Sequence, residues 1–328
     1  LLSLPLMILA SKYSYKKILL ATLFLFALGQ GISAIAFSFP LLIIGRLVVA
    51  CAHAIFWSIA SVVAVRLVHE DKREFAMSMI VTGTSVAMIV GLPLGRMIGL
   101  LIGWRITFLM VGIISVLLLI FQTIYLPKLQ TTQAFTLNEL PDLLKNKQLI
   151  TIYGISLLFA SAYYTAYSYI EPFLAQVANL SNNSITLVLS LFGVAGIGGS
   201  YLFSKFYNLN RKRFILISLF CLTIVLFILK PSTASIITLL LICVVWGMSS
   251  TAFNVACQSE TILVTNEQTS SIAMSIFSGI FNLGIGLGSF IGGQTINILN
   301  IQSIGYIAGI IGILSVIFYI RRRKSMLK

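Results

Sequence analysis

Polar and aromatic side chains recur at helical spacing inside one apolar stretch of this 328-residue sequence. In GRLVVACAHAIFW, the side chains of Arg46, His53 and Trp57 fall on one face of an α-helix. A guanidinium, an imidazole and an indole are costly against lipid, so this face should line a wet cavity or a bundle interior. Simpler roles remain open, because Arg46 could snorkel to a headgroup and His53 could make a structural hydrogen bond. No neighbouring carboxylate or second histidine gives a metal-binding spacing, so we expect no metal.

A second stripe of polar side chains lies in WGMSSTAFNVACQSETIL, where Trp246, Ser250, Asn254, Gln258 and Thr261 share one helix face. Amides and hydroxyls both donate and accept hydrogen bonds, and leaving them unpaired in hydrocarbon is costly. Such groups suit a neutral, hydroxylated ligand in a cavity. Hydrogen bonds between helices are the competing interpretation for any single residue.

The string AYYTAYSYIEPF concentrates hydrogen-bonding side chains. Tyr163 and Tyr167 are one turn apart, and Tyr164 adjoins them. A tyrosine offers an apolar ring to the C–H face of a sugar and a hydroxyl to its rim. Glu171 precedes Pro172, which should end or kink the helix, so the string predicts a sugar platform followed by an outer hinge. An interfacial aromatic belt with a solvated acid is the alternative.

The composition indicates what positions these residues. Hydrophobic residues make up 59% of the chain and charged residues 9%, against roughly 25% charged in soluble proteins. Apolar runs of about 20 residues recur and predict membrane-spanning helices. After the tail of one helix they give ten complete spans, near 18–37, 41–66, 75–101, 106–126, 149–171, 184–206, 214–230, 236–263, 271–296 and 304–320.

The fold class predicted from these runs is an all-α polytopic membrane protein made of two six-helix bundles. Because the first segment is too short to span, we expect the first helix and part of the second to be missing from this sequence. Short strings repeat in register between the halves: SKYSYKKIL recurs as SKFYNLNRKRFIL, and AMSMIVTG as AMSIFSG. The predicted division is a truncated N-terminal bundle 1–126, a central cytoplasmic linker 127–148, a C-terminal bundle 149–320 and a basic cytoplasmic tail 321–328.

The net charge of +14 reports topology rather than a nucleic-acid partner. Nearly all Lys and Arg residues cluster in alternate connections between the apolar runs, which is the positive-inside pattern of membrane proteins. The partner implied is a lipid bilayer. We therefore predict a multi-pass protein of a bacterial inner membrane with a cytoplasmic C-terminus.

Glycines four residues apart mark two further spans, and small residues at this spacing let helices approach closely. Simple helix packing would explain one such face. Two at equivalent places in the halves suggest helices that slide or bend where the halves meet. The residues are Gly91, Gly95 and Gly99, with Pro93 between the first two, and Gly284, Gly288 and Gly292.

Together these motifs resemble the major facilitator superfamily in its drug:proton antiporter branch, and especially bacterial sugar efflux transporters of the arabinose/isopropyl-thiogalactoside-exporting type. The resemblance is carried by RLVVACAHAIFWSI, TGTSVAMIVGLPLGRMIG, GWRITF, YYTAYSYIEPF and FSGIFNLGIGLGS. It implies that the first, fourth, seventh and tenth helices line a central cavity. GLPLGRMIG stands where the branch has its antiporter motif, and Arg46 where it has an arginine linked to proton coupling. ILASKYSYKK departs from the pattern of its loop by lacking the aspartate and the glycines.

The sequence and the resemblance thus predict a transporter, not an enzyme, that exports small neutral sugars or glycosides by proton antiport and alternating access. Its expected partners are a sugar and protons, with no cofactor, and we expect a monomer. Efflux of amphipathic drugs and a non-transporting membrane sensor are the alternatives. The predicted substrate-binding residues are His53, Trp57, Tyr163, Tyr164, Tyr167, Trp246, Asn254 and Gln258. The predicted proton-coupling or gating residues are Arg46, Glu171, Gly91, Pro93 and Gly95.

Overall fold

The computed structural model describes residues 6, 10, 13–69, 72–127, 140–266 and 269–322. Within these residues the chain forms α-helices, short 3₁₀ turns and one π-helical segment, and it forms no strand. Most of the segment predicted as the tail of one helix, before the ten complete spans, lies outside the described residues. The same is true of linker residues 128–139 and tail residues 323–328.

The described residues of the N-terminal half include five α-helices. The helix α1 packs between α2 and α5, and a π-helical segment, Ala87–Gly91, joins α3 to α4. The bounds are α1 Tyr15–Ala34, α2 Phe39–Arg66, α3 Arg73–Val86, α4 Leu92–Leu101 and α5 Trp104–Tyr125.

The C-terminal half begins with a short helix from the predicted linker. The helix α7 packs against α12 and α13, α9 packs against α11, and α10 contacts both α11 and α13. The bounds are α6 Leu140–Lys145, α7 Lys147–Tyr167, α8 Ile170–Gln176, α9 Asn182–Phe206, α10 Arg211–Ile228, α11 Ile236–Leu263, α12 Ser270–Ile298 and α13 Ile304–Arg322.

Eight helical stretches in the described residues are long and apolar enough to cross a bilayer. They are Tyr15–Ala34, Phe39–Arg66, Trp104–Tyr125, Lys147–Gln176, Asn182–Leu209, Ile236–Leu263, Ile272–Ile298 and Ile301–Arg322. The predicted spans 75–101 and 214–230 are also helical, but the π segment divides the first and three basic residues open the helix of the second. The prediction of an all-α polytopic membrane fold is confirmed.

Two prolines coincide with interruptions of the helices. A proline removes one backbone N–H and clashes with the carbonyl four residues before it. The interruption between α7 and α8 contains Ser168, four residues before Pro172, and the π segment ends just before Pro93. The helix break predicted from Pro172 is present, one turn earlier than the proline itself, and its role as a hinge stays a prediction.

The glycine face of α12 has a different place from the one predicted. A Cβ on Gly288 would lie 2.5 Å from the Ser161 carbonyl oxygen, and Cβ atoms on Gly284 and Gly292 would also meet the backbone of α7. These glycines pack α12 directly onto α7, inside the C-terminal half. The expectation that this face marks sliding between the halves was wrong, because the spacing indicates close approach without indicating the neighbour.

Replacing Gly288 by valine should destabilise the protein by about 1–3 kcal/mol or more, since α7 must move away from α12. Gly286→Val is the matched control on the same helix, because a Cβ there would meet nothing within 4 Å. The measurement is the thermal midpoint of each detergent-purified variant. Equal midpoints for the two variants would contradict this account of the α7–α12 contact.

The main packing between the two halves involves α12 and α9 of the C-terminal half. The helix α2 contacts α12, while α3, the π segment and α4 contact α9. Helices α2, α3, α7, α11 and α12 surround the space left between the halves.

Candidate functional site

The ends of the helix bundle differ in charge. At one end, Lys16 donates to the carbonyl oxygens of Thr123 and Leu126, and the Arg66 guanidinium lies over the Tyr15 ring. We call the end that holds these groups the basic end. Because successive helices alternate in direction, the basic end also holds the start of α7 and α10 and the end of α13. The opposite end holds the connections 35–38, 102–103, 177–181 and 299–303.

A cavity of about 360 Å³ lies between the two halves. Aromatic rings, amides, hydroxyls and one imidazole line it, together with apolar side chains. Among the described lining residues there is no Asp, Glu, Lys or Arg. The lining residues are His53, Trp57, Ile80, Thr84, Phe159, Tyr163, Tyr164, Ser250, Thr251, Asn254, Val255, Gln258, Met274, Phe277, Ser278, Phe281, Asn282 and Ile285.

Most of the predicted substrate-binding residues come together in this cavity. Those that line it are His53, Trp57, Tyr163, Tyr164, Asn254 and Gln258. Tyr167 and Trp246 do not, and instead lie behind Tyr163, with ring centroids 4.8 Å and 5.7 Å from the Tyr163 ring. Because each helix is longer than the cavity, its polar stripe extends beyond the cavity. Tyr167 and Trp246 therefore lie behind the residues that line it.

His53 and Trp57 form a hydrogen-bonded pair one turn apart on α2. The Trp57 Nε1–H donates to His53 Nε2 over 2.8 Å, with the ring centroids 6.0 Å apart. An indole N–H is only a donor, so His53 Nε2 must be unprotonated in this bond. The neutral ring therefore carries its proton on Nδ1.

Amide side chains form two polar pairs on the other half. Gln258 Nε2 donates to Asn254 Oδ1 on α11, and Asn282 Nδ2 donates to the Ser278 carbonyl oxygen over 2.8 Å on α12. These bonds orient both asparagines. The Asn254 amide nitrogen and the Asn282 side-chain oxygen are then available to a ligand in the cavity.

Ser278 and Asn282 were missed from the sequence, since this span was interpreted only through its glycines. Their i, i+4 spacing is the same signal that identified Asn254 and Gln258, and it would have found them. Thr84 on α3 was also missed. Its hydroxyl donates to the Ile80 carbonyl oxygen, but the residues three and four positions away in the sequence are apolar, so no polar stripe marked it.

A polar network joins the halves at the opposite end. The Arg96 guanidinium of α4 donates to Glu171 Oε1 through Nη2 over 3.0 Å and through Nε over 3.2 Å. It also donates to Thr186 Oγ1 over 2.9 Å and to Asn182 Oδ1 over 3.2 Å. One cation of the N-terminal half thus holds α8 and α9 of the C-terminal half. Arg96 was not singled out from the sequence, because GLPLGRMIG was interpreted through its glycines and proline.

The other predicted coupling residue, Arg46, stays within the N-terminal half. Its guanidinium lies 5.1 Å from the centroid of the Phe108 ring, and Nη1 is 3.4 Å from Gln30 Oε1. It does not line the cavity. Gly91 ends the π segment, and Pro93 and Gly95 lie in the first turn of α4, just before Arg96.

A cavity between two halves of a chain built from bilayer-length helices is the plan of a secondary transporter. The profile of the Major Facilitator Superfamily matches residues 1–262 and 209–327. The chain belongs to the Major Facilitator Superfamily. The family resemblance predicted from the sequence is therefore confirmed, and the protein is a multi-pass membrane protein of a transporter family.

Two curated relatives of this chain are each named a probable sugar efflux transporter. The protein from Mannheimia succiniciproducens is 37% identical over 318 residues, which cover 97% of this chain and 80% of the relative. The protein from Helicobacter pylori is 37% identical over 322 residues, covering 97% and 81%.

Solved structures show the same major-facilitator fold. The human organic anion transporter MFSD10 superimposes with a TM-score of 0.79 at 14% identity, over 97% of this chain and 80% of that chain. The E. coli fucose:proton symporter FucP (N162A) gives 0.73 at 17% identity, over 98% and 87%. At these identities the likeness concerns the fold alone.

Proposed function

We propose that this superfamily member exports small neutral sugars or glycosides in exchange for protons, by alternating access. The observation that carries the proposal is the cavity between the halves, which presents amides, hydroxyls and aromatic rings and no charged side chain among its described residues. The names of the two curated relatives support the same class of substrate.

The chemistry of the wall fits a sugar on both of its faces. The rings of Trp57 and Tyr163 can stack against C–H groups, and the phenol can bond to hydroxyls. Asn254 and Gln258 supply both donors and acceptors, which suits a sugar hydroxyl because it donates and accepts hydrogen bonds. A volume of about 360 Å³ lies within the roughly 300–1,000 Å³ of small-molecule sites.

An organic cation is the competing substrate, and it would favour a carboxylate among the aromatic groups. Among the acidic side chains that the structure describes, Glu171 belongs to the network at the opposite end. Glu260 accepts from the Tyr207 hydroxyl over 2.8 Å and lies 3.6 Å from Arg211 Nη1 at the basic end. Neither lines the cavity.

We assign the basic end to the cytoplasm of a bacterial inner membrane, following the positive-inside rule, so the C-terminus is cytoplasmic. The lining residues of α11 and α12 run from the middle of each helix toward the basic end. The Arg96 network closes the opposite end. We infer that this is the inward-facing state, so that export requires the Arg96 network to open.

The helix break next to Arg96 supplies the hinge for this opening. The π segment, Gly91 and Pro93 interrupt the regular hydrogen-bond ladder of the α3–α4 span, and π segments often mark functional sites.

Arg46 lies two turns from His53 on α2, about 10 Å along the axis. The fixed positive charge of Arg46 opposes the binding of a proton, which would be a second positive charge, within the N-terminal half. We propose that the transporter acts as a monomer, since the cavity lies between the two halves of a single chain.

The test uses inverted membrane vesicles that contain the protein and generate an acidic lumen. Labelled arabinose, a labelled isopropyl thiogalactoside and a cationic dye are offered in parallel, with vesicles lacking the protein as the control. We expect a sugar to accumulate and the dye to stay at the control level. Dye accumulation without sugar accumulation would establish drug efflux instead, and no movement of any probe would favour a sensor.

A further inference from the structure

We propose that His53 is the proton-binding residue of the exchange, and that its bond with Trp57 makes proton binding and sugar binding mutually exclusive. The inference rests on the proposed function, because it places the exchanged proton in the sugar cavity. It departs from the expectation that Glu171 couples to protons, and it assigns Glu171 to the gate alone.

The hydrogen bond itself defines the competition. Trp57 Nε1–H and an incoming proton need the same lone pair, that of His53 Nε2. When that atom is protonated, two N–H groups face each other across 2.8 Å and neither can accept. The bond therefore exists only while His53 is neutral, and a proton that binds at Nε2 breaks it.

Breaking the bond changes the sugar site because it holds the Trp57 indole in place. A fixed ring is a stacking surface that needs no further ordering when the sugar binds, whereas a released ring must be ordered again. A sugar stacked on the fixed indole in turn favours the neutral pair. Each ligand thus weakens the other, which is the relation that exchange of a sugar for a proton requires.

The position of His53 suits a group that must meet both sides of the membrane. Its side chain is exposed and lines the cavity, so whichever side the cavity opens to can exchange a proton with it. Glu171 and Glu260 lie outside that cavity, at its two ends. When the cavity opens to one side and then to the other, His53 is exposed to that side together with the sugar. Neither of the two described acids is exposed in this way.

The groups that face His53 are known for each neighbouring element. The helix α1 carries Tyr15, Lys16 and Lys17 only at its basic end, and α3 and α12 contribute no titratable side chain among their described cavity residues. Across the cavity stand the phenols of Tyr163 and Tyr164. On its own helix the nearest described charge is Arg46. No described carboxylate stands beside His53 to share its proton.

The experiment measures purified protein reconstituted in liposomes with labelled isopropyl thiogalactoside as the probe. In the wild type, probe affinity should fall at least about threefold between pH 8 and pH 5, because a proton bound at His53 competes with the probe. His53→Gln keeps an acceptor for the Trp57 N–H but cannot take a proton. We expect this variant to retain measurable probe exchange that no longer depends on pH, and to lose accumulation driven by a proton gradient.

His69→Gln is the matched control, because it removes the other histidine of the chain, in the loop after α2 and outside the cavity. It should behave as the wild type. Trp57→Phe gives an independent reading, since it keeps a ring and removes the competing donor. The pH midpoint of probe binding should then move to higher pH by about half to one unit.

Each result has a distinct meaning. If His53→Gln still accumulates the probe on a proton gradient, or if Trp57→Phe leaves the midpoint unchanged, the proposal for His53 is overturned while export stands. If the wild type itself neither binds nor moves the probe, the proposed function fails and takes this inference with it. The Trp57→Phe measurement also decides the question should His53→Gln fail to fold.

Discussion

Replacing Asn254 by leucine should lower sugar export about 100-fold while leaving the protein folded. The leucine keeps a similar volume but removes the amide that faces the cavity, and it leaves Gln258 without the acceptor that orients it. Two hydrogen bonds to the substrate, worth about 1–1.5 kcal/mol each, account for a loss of this size. Export of labelled thiogalactoside into inverted vesicles, normalised to the amount of folded protein, measures the effect.

Gln294→Leu is the matched control for that substitution. Gln294 is an exposed amide on α12 that does not line the cavity, so its loss should leave export near the wild-type rate. A similar rate for the two variants would mean that the polar cavity wall does not bind the substrate.

The second large effect should come from reversing charges in the network of the opposite end. Arg96→Glu places two carboxylates face to face, and Glu171→Arg places two guanidinium groups together. The Glu171 side chain is 51% exposed, so solvent screening reduces the repulsion to about 1 kcal/mol or little more. We expect each single variant to slow export about tenfold, since the inward-facing state loses its closure. The double variant should regain most of the rate.

Lys230→Glu serves as the control for charge at this end of the bundle, where it lies in the connection before α11, and it should have little effect. Export rates and the reactivity of a cysteine introduced at the opposite end report the two consequences separately. If the double variant stays as slow as the singles, Arg96 and Glu171 do not act as a pair in the gate.

The spacing of residues along single helices predicted which side chains line the cavity, but only for the part of each helix that borders the cavity. Helical steps of three and four placed His53 and Trp57 on one face and Asn254 and Gln258 on another, and both faces line the cavity. The same steps continued to Trp246, which is buried behind Tyr163. A helical face extends along the whole helix, whereas the cavity ends where neighbouring helices converge, and one sequence does not mark that point.

The spacing of residues within one helix could not predict contacts between segments that are far apart in the sequence. Arg96 and Glu171 are 75 residues apart, and nothing local to either one indicates the other. The close packing of Gly288 on α7 was predictable as close packing, but its partner depends on how α12 is placed in the bundle. Apolar runs and basic clusters gave the helices and their ends, because those depend on the bilayer alone.

The central claim is that a proton gradient drives sugar through this cavity, and one measurement tests it directly. Purified protein is reconstituted in liposomes with an acidic lumen, and uptake of labelled isopropyl thiogalactoside is followed with and without a protonophore. We predict accumulation above the external concentration that collapses when the protonophore is added and is absent with Asn254→Leu. Uptake that is the same with and without the gradient would contradict the claim.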